Sequence, residues 1–186
     1  MSTPRPPQPA KLVVGLLLKD KTLLPTLAAE FEDRFGPLVL VSPWMPFGYT
    51  AYYEAEMGAP LFRRVLAFRD MVAQDGLARI KRATNAIEQA HMVQGKRQVN
   101  IDPGYLLLER FVLATGKNFS HRIYIGEGIY ADLTLVFEHG AFRPLPWTYP
   151  DYADRPLRDF LQRVRRQYAG DLHGASEGRD PALGSF

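Results

Sequence analysis

Arg122, Tyr124, Tyr130, Asp132 and Thr134 fall at alternate positions on either side of a glycine turn, so a hairpin would gather them on one face. A guanidinium there can grip a phosphate or carboxylate through two parallel hydrogen bonds. Asp132 can serve as a base or as an orienting acceptor, and Tyr130 as a proton donor. Tyr124 stands beside them as a ligand contact. The same residues also describe a solvated sheet face with one ion pair and one tyrosine pair. His121 is the neutral-pH acid or base of the region. It shares strand parity with Ile123, which places it toward the apolar side, where a hydrogen-bonded core histidine is the alternative.

A second cluster is Lys96, Arg97, Asn100, Asp102 and Tyr105. Asp102-Pro103 reads as a helix N-cap followed by the first helical residue. Amide groups opening such a helix, with Lys96 and Arg97 nearby, could hold an anion. Asp102 works against that, since its charge repels one. The contacts expected for a substrate are therefore Lys96, Arg97, Asn100, Arg122 and Tyr124, and the acid–base candidates are His121, Asp132 and Tyr130. Trp147, Tyr149 and Tyr152 could stack a ring, or bury their rings against the domain. The four histidines lack ligand spacing and the chain has no cysteine, so no metal site is expected.

Lys11–Leu18 is a continuous apolar run, the pattern of a strand buried on both faces. Thr22 is a plausible N-cap and Pro25 fits a first turn. Leu24, Leu27, Ala28, Phe31 and Phe35 then keep helical spacing until Gly36-Pro37. Leu38–Ser42 is the next strand, which makes a βαβ unit. Pro43–Met57 reads as an aromatic loop with a short strand at Tyr49–Glu54. Leu61–Val72 reads as a strand, and a helix begins at Asp75. Tyr105–Phe111 reads as helical and Val112–Thr115 as extended.

The clearest β signal is Ser120–Phe137. A three-residue turn, Gly126-Glu127-Gly128, pairs Arg122 with Asp132, Ile123 with Ala131, Tyr124 with Tyr130 and Ile125 with Ile129. A last helix, Pro156 to Tyr168, turns Leu157, Phe160, Leu161, Val164 and Tyr168 inward. Its other side carries Arg158, Arg163, Arg165 and Arg166. The expected class is α+β: a βαβ start, a mixed but largely antiparallel sheet with two to three helices on one face, and a ferredoxin-like outline.

The 186 residues suit one domain. It is expected to span residues 11–169, between a disordered proline-rich head (1–10) and a disordered tail (170–186). No apolar run is long enough to span a membrane and the head has no apolar signal segment, so a cytoplasmic protein is expected. The net charge is +3, to which the head contributes +1 and the tail −2, and this leaves +4 on residues 11–169, too little for an obligate nucleic-acid binder.

Gly95–Tyr105, Lys117–Asp132 and Pro146–Tyr152, with the opening strand and Tyr52–Gly58, make the chain resemble a prokaryotic family called domain of unknown function 4416. The resemblance runs from Lys11 to Tyr168 and implies no activity. Some members of that family carry a GTP-binding label. Here a phosphate-binding P-loop is missing, because Gly95-Lys96 is preceded by Ala90 where a glycine is needed and followed by Arg97 where Ser or Thr is needed.

The leading expectation is an enzyme or binder of a small anionic metabolite or nucleotide, with no particular cofactor indicated. One alternative is an RNA-associated module that uses the basic C-terminal helix and the Trp147–Tyr152 aromatics. The other is a non-catalytic interaction domain.

Overall fold

Strand β1 (Ala10–Leu18) is buried along its whole length. Leu12, Val14, Leu16 and Leu18 enter one apolar cluster, while Val13 enters another on the opposite face. A strand apolar on both sides needs cover on both sides, and that requirement organises the fold. The computed structural model describes residues 2–177.

After β1 the side chain of Asp20 accepts from the Thr22 N–H, so the cap is Asp20 rather than Thr22. Helix α1 (Leu24–Phe35) then buries Leu27 and Phe31, and Gly36 ends it. Strands β2 (Leu38–Val41) and β3 (Met45–Phe47) and the four-residue helix α2 (Glu54–Met57) lead to β4 (Leu61–Val72). The strand expected at Tyr49–Glu54 is absent. Met45–Phe47 takes the edge positions opposite Leu61–Arg63, and residues 48–53 arch away from the sheet.

Helix α3 (Leu77–Ala90) and strand β5 (Val99–Leu106) follow. Strands β1 and β2 both pair antiparallel with β4, from opposite sides, so they run parallel to each other with β4 between them. The order β2-β4-β1-β5, with α1 and α3 packed on one face, is the ferredoxin-like βαββαβ arrangement. Strands β6 (Arg110–Thr115), β7 (Arg122–Gly126), β8 (Ile129–Glu138) and β9 (Ala141–Pro144) extend the sheet, and all of its ladders are antiparallel. The chain is α+β.

The hairpin register matches at Arg122↔Asp132, Ile123↔Ala131 and Tyr124↔Tyr130. A bulge then puts Gly126, not Ile125, opposite Ile129. Glu127 and Gly128, both at positive φ, make the turn, so the loop is one residue shorter than the parity argument requires.

Helix α4 (Pro150–Ala153) and the long α5 (Arg155–Glu177) cover the face of the sheet opposite α1 and α3. Leu157, Phe160, Leu161, Val164 and Tyr168 pack there on Val13, Val65, Phe111, Leu113 and Phe142. Helix α5 continues past Ala169, where the sequence places a tail, and the extension is tied down. Lys11, fully buried, meets the Asp171 carboxylate at 2.5 Å and donates to the Arg69 carbonyl at 2.6 Å. The rest of the tail expectation, 178–186, lies outside the described residues. Residues 2–9 form no helix or strand. Among the described residues no helix is long and apolar enough to cross a membrane.

Candidate functional site

The sheet opens between β5 and β6. Their ladder joins only Gly104–Leu106 to Phe111–Leu113, although β5 begins at Val99 and β6 runs to Thr115. Beyond the last rung, the Ile101 N–H donates to Glu88 Oε1 at 2.5 Å and its carbonyl accepts from Lys81 Nζ at 2.7 Å. Two α3 side chains thus stand in for the missing strand.

Ile101 turns its amide groups away from β1, and Pro103, two residues on, points the same way. Having no N–H, Pro103 ends the ladder where the opening begins. Gly104 is needed beside it, since a Cβ there would lie 2.4 Å from the Val112 carbonyl oxygen. Asp102-Pro103 is therefore strand and not the helix start expected from sequence. Tyr105–Phe111 is correspondingly the end of β5, a turn and the start of β6. The cap reading weighed only local preference, whereas β1 supplies a neighbour for all of β5.

The opening is a cleft of about 650 Å³, within the usual range for a small-molecule site. Its centre is Arg63, almost wholly buried. Nη1 lies 3.0 Å from Asp102 Oδ2 and Nη2 lies 2.6 Å from Asp151 Oδ2. The Phe47 and Tyr152 rings each stand 5.3 Å from the guanidinium carbon. Burial opposes the charge on Arg63, but the Asp151 and Asp102 carboxylates outweigh it and raise its pKa, so it stays a cation. Burial raises Asp151 against the pull of Arg63. It likewise raises Glu88, against Lys81. Tyr53 and Tyr152 are also pushed up by burial, so both phenols keep their protons at neutral pH.

A polar chain runs from this centre toward the rim. Asn100 donates to Asp102 Oδ2 at 3.0 Å and accepts from Arg97 Nη1 at 3.0 Å. Arg97 grips Glu56 of α2 in a two-pronged pair, Nε to Oε1 at 2.9 Å and Nη2 to Oε2 at 2.7 Å. That pair moors the arch at 48–53, which brings Tyr49, Tyr52 and Tyr53 over the cleft. A second mooring is the Tyr49 hydroxyl on Asp154, a bond that pushes the phenol up to about 12.

The other wall holds Asp132 and Lys117. Asp132 Oδ2 takes Arg122 Nε at 2.8 Å and His121 Nε2 at 3.3 Å, and Arg122 also donates to the Tyr149 hydroxyl at 2.8 Å. His121 lies just before β7, outside its alternation. It sides with Asp132 and stacks on Trp147 at 4.9 Å, while Ile123, expected inward, is 72% exposed. Lys117 Nζ rests 4.6 Å from the centre of the Tyr52 ring and 3.2 Å from a tyrosine hydroxyl, that of Tyr52.

Of the residues singled out from sequence, Arg97, Asn100 and Asp132 line the cleft together. Arg122 and His121 brace Asp132 from behind. Tyr124 and Tyr130 pair with each other at 5.3 Å, off the cleft, and Lys96 sits in an exposed turn. Tyr149 and Tyr152 do reach it.

Sequence reasoning missed Arg63, Glu88, Asp151 and Lys117. Arg63 and Arg64 interrupt the apolar first part of β4, Leu61 to Phe68, a signal for a buried cation needing partners. Lys117 carries no such signal. On α5, Arg158 and Arg165 donate to the Phe142 and Leu108 carbonyls, which ties down half of the basic face. Among the described residues no three of His, Asp or Glu converge as metal ligands.

A family model described as "Domain of unknown function (DUF4416)" matches residues 8–168. No curated protein and no solved structure matches the chain.

Proposed function

The chain belongs to the DUF4416 family, and from the cleft we propose that it binds a small anionic metabolite, with Lys117 as the anion contact. Four cations and four carboxylates line the cleft, so the pairing of each charge decides the sign a ligand meets. Arg63 is spent on Asp102 and Asp151, Arg97 on Glu56, and Lys81 on the Ile101 carbonyl beside Glu88. Lys117 alone among the four cations has neither a carboxylate partner nor a backbone acceptor among the described residues, and that observation carries the reading. Its ammonium is held only by the Tyr52 ring and hydroxyl, contacts an incoming anion outbids.

Arg122, one of the anion contacts expected from sequence with Lys96 and Arg97, is the counter-ion of Asp132 in this reading. Asp132 is the one acid–base candidate of the three that touches the cleft. The test is a thermal-shift screen of sugar phosphates, nucleotides, carboxylates and inorganic phosphate. Anions that raise the midpoint in wild type and do so far less in Lys117→Ala support the reading. A screen in which no anion shifts the midpoint contradicts it.

A further inference from the structure

The wall opposite Lys117 restricts what the rest of such a ligand can be. Arg63 and Asn100 both bond to the same oxygen of Asp102, Oδ2. Oδ1 has no hydrogen-bond partner among the described residues, and the side chain is 25% exposed, on the cleft. A carboxylate oxygen in that position accepts from a donor and repels an anion. The cleft thus asks for opposite chemistry at its two ends, an anion at Lys117 and an N–H or O–H at Asp102.

Between the two ends the lining is aromatic. Phe47 and Tyr152 are committed to Arg63, and one face of Tyr52 to Lys117. Tyr53 is taken up by Tyr52, Phe47 and Arg97. Tyr49, which meets Phe47 edge-on, and Tyr149 remain to flank a flat ring, the arrangement that stacks bases without regard to sequence. Tyr49 is fixed by Asp154 and Tyr149 by Arg122, so the walls are ordered before a ligand arrives.

Building on the anion-binding reading above, we infer that the ligand is a nucleoside monophosphate whose base carries an amino group. Its phosphate sits at Lys117, its base lies among the tyrosines, and its amino group donates to Asp102 Oδ1. Deaminating the base replaces that donor with a carbonyl, whose lone pairs face the carboxylate. A site built around a hydrogen bond discriminates strongly against the analogue that lacks it.

The experiment is calorimetric titration of the wild-type protein with AMP and IMP, GMP and XMP, CMP and UMP, and with ribose 5-phosphate and inorganic phosphate. At least one amino-bearing nucleotide should bind about tenfold or more tighter than its deaminated counterpart, and tighter again than ribose 5-phosphate. Asp102→Asn should narrow that ratio. If that variant unfolds, the paired ligands on wild type still decide the matter. Equal affinity within every pair overturns the inference. So does ribose 5-phosphate or phosphate binding as tightly as any nucleotide, and if that binding needs Lys117 the anion-binding reading survives. If nothing binds, both readings fall.

Discussion

The Tyr152 hydroxyl lies 2.6 Å from where a Cβ on Gly15 would stand, and Arg63 Nη1 lies 3.2 Å from the same point. Gly15 thus lets the central strand pass beneath the buried cation of the cleft. Gly15→Ala should destabilise the fold by about 1–3 kcal/mol, the usual cost of overpacking. Urea unfolding measures it, and a change below about 0.5 kcal/mol would show that ring and guanidinium step aside freely.

Arg122 and Asp132 are both nearly buried and 2.8 Å apart. Arg122→Ala leaves the Asp132 carboxylate with His121 as its remaining ion-pair partner, which should cost about 3–5 kcal/mol. This substitution should therefore act on stability before it acts on any ligand. Unchanged unfolding free energy in Arg122→Ala would contradict the assignment of Arg122 as a structural counter-ion.

Glu88 stands where a strand would otherwise accept the Ile101 N–H. Glu88→Gln keeps an acceptor and should be mild. Glu88→Leu strands a buried N–H and should cost about 1–3 kcal/mol more. Amide exchange at Ile101 should quicken in the Leu variant alone. Equal behaviour of the two variants would mean that the carboxamide oxygen does not replace the carboxylate, or that water does.

The architecture was legible in the sequence where the pattern is long and one-sided. The apolar run of β1, the spacing of α1 and the parity of the hairpin gave the ferredoxin-like start and three of four cross-strand pairs. Local signals misled where a distant neighbour decides the outcome. Asp102-Pro103 has the form of a helix cap, yet β1 provides a full-length partner that keeps it extended. The cleft was half visible. Arg97, Asn100 and Asp132 were singled out, but nothing local shows that Arg63 meets Asp102 and Asp151, since those contacts span 39 and 88 positions in the chain.

Acid should loosen the arch over the cleft. The hydrogen bonds from Arg97 hold the Glu56 carboxyl below its ordinary 4.5. A depressed acid stabilises the folded state above that ordinary value, and the contribution fades as pH falls through the depressed one. Glu56 is partly exposed, so solvent screening keeps the effect within about 1 kcal/mol. Stability measured from pH 6 down to pH 3 should fall less in Glu56→Gln than in wild type. Parallel curves would remove this pair from the acid response.

On the proposed function, Lys117 is the cation the cleft offers to a ligand. Calorimetric titration of wild type, Lys117→Ala and Lys117→Arg with the best anion from the screen tests it most directly. Lys117→Ala should keep its melting midpoint within a few degrees yet lose about tenfold or more in affinity, while Lys117→Arg should retain most of it. An anion that binds wild type and Lys117→Ala equally well would show that Lys117 is not the ligand's cation.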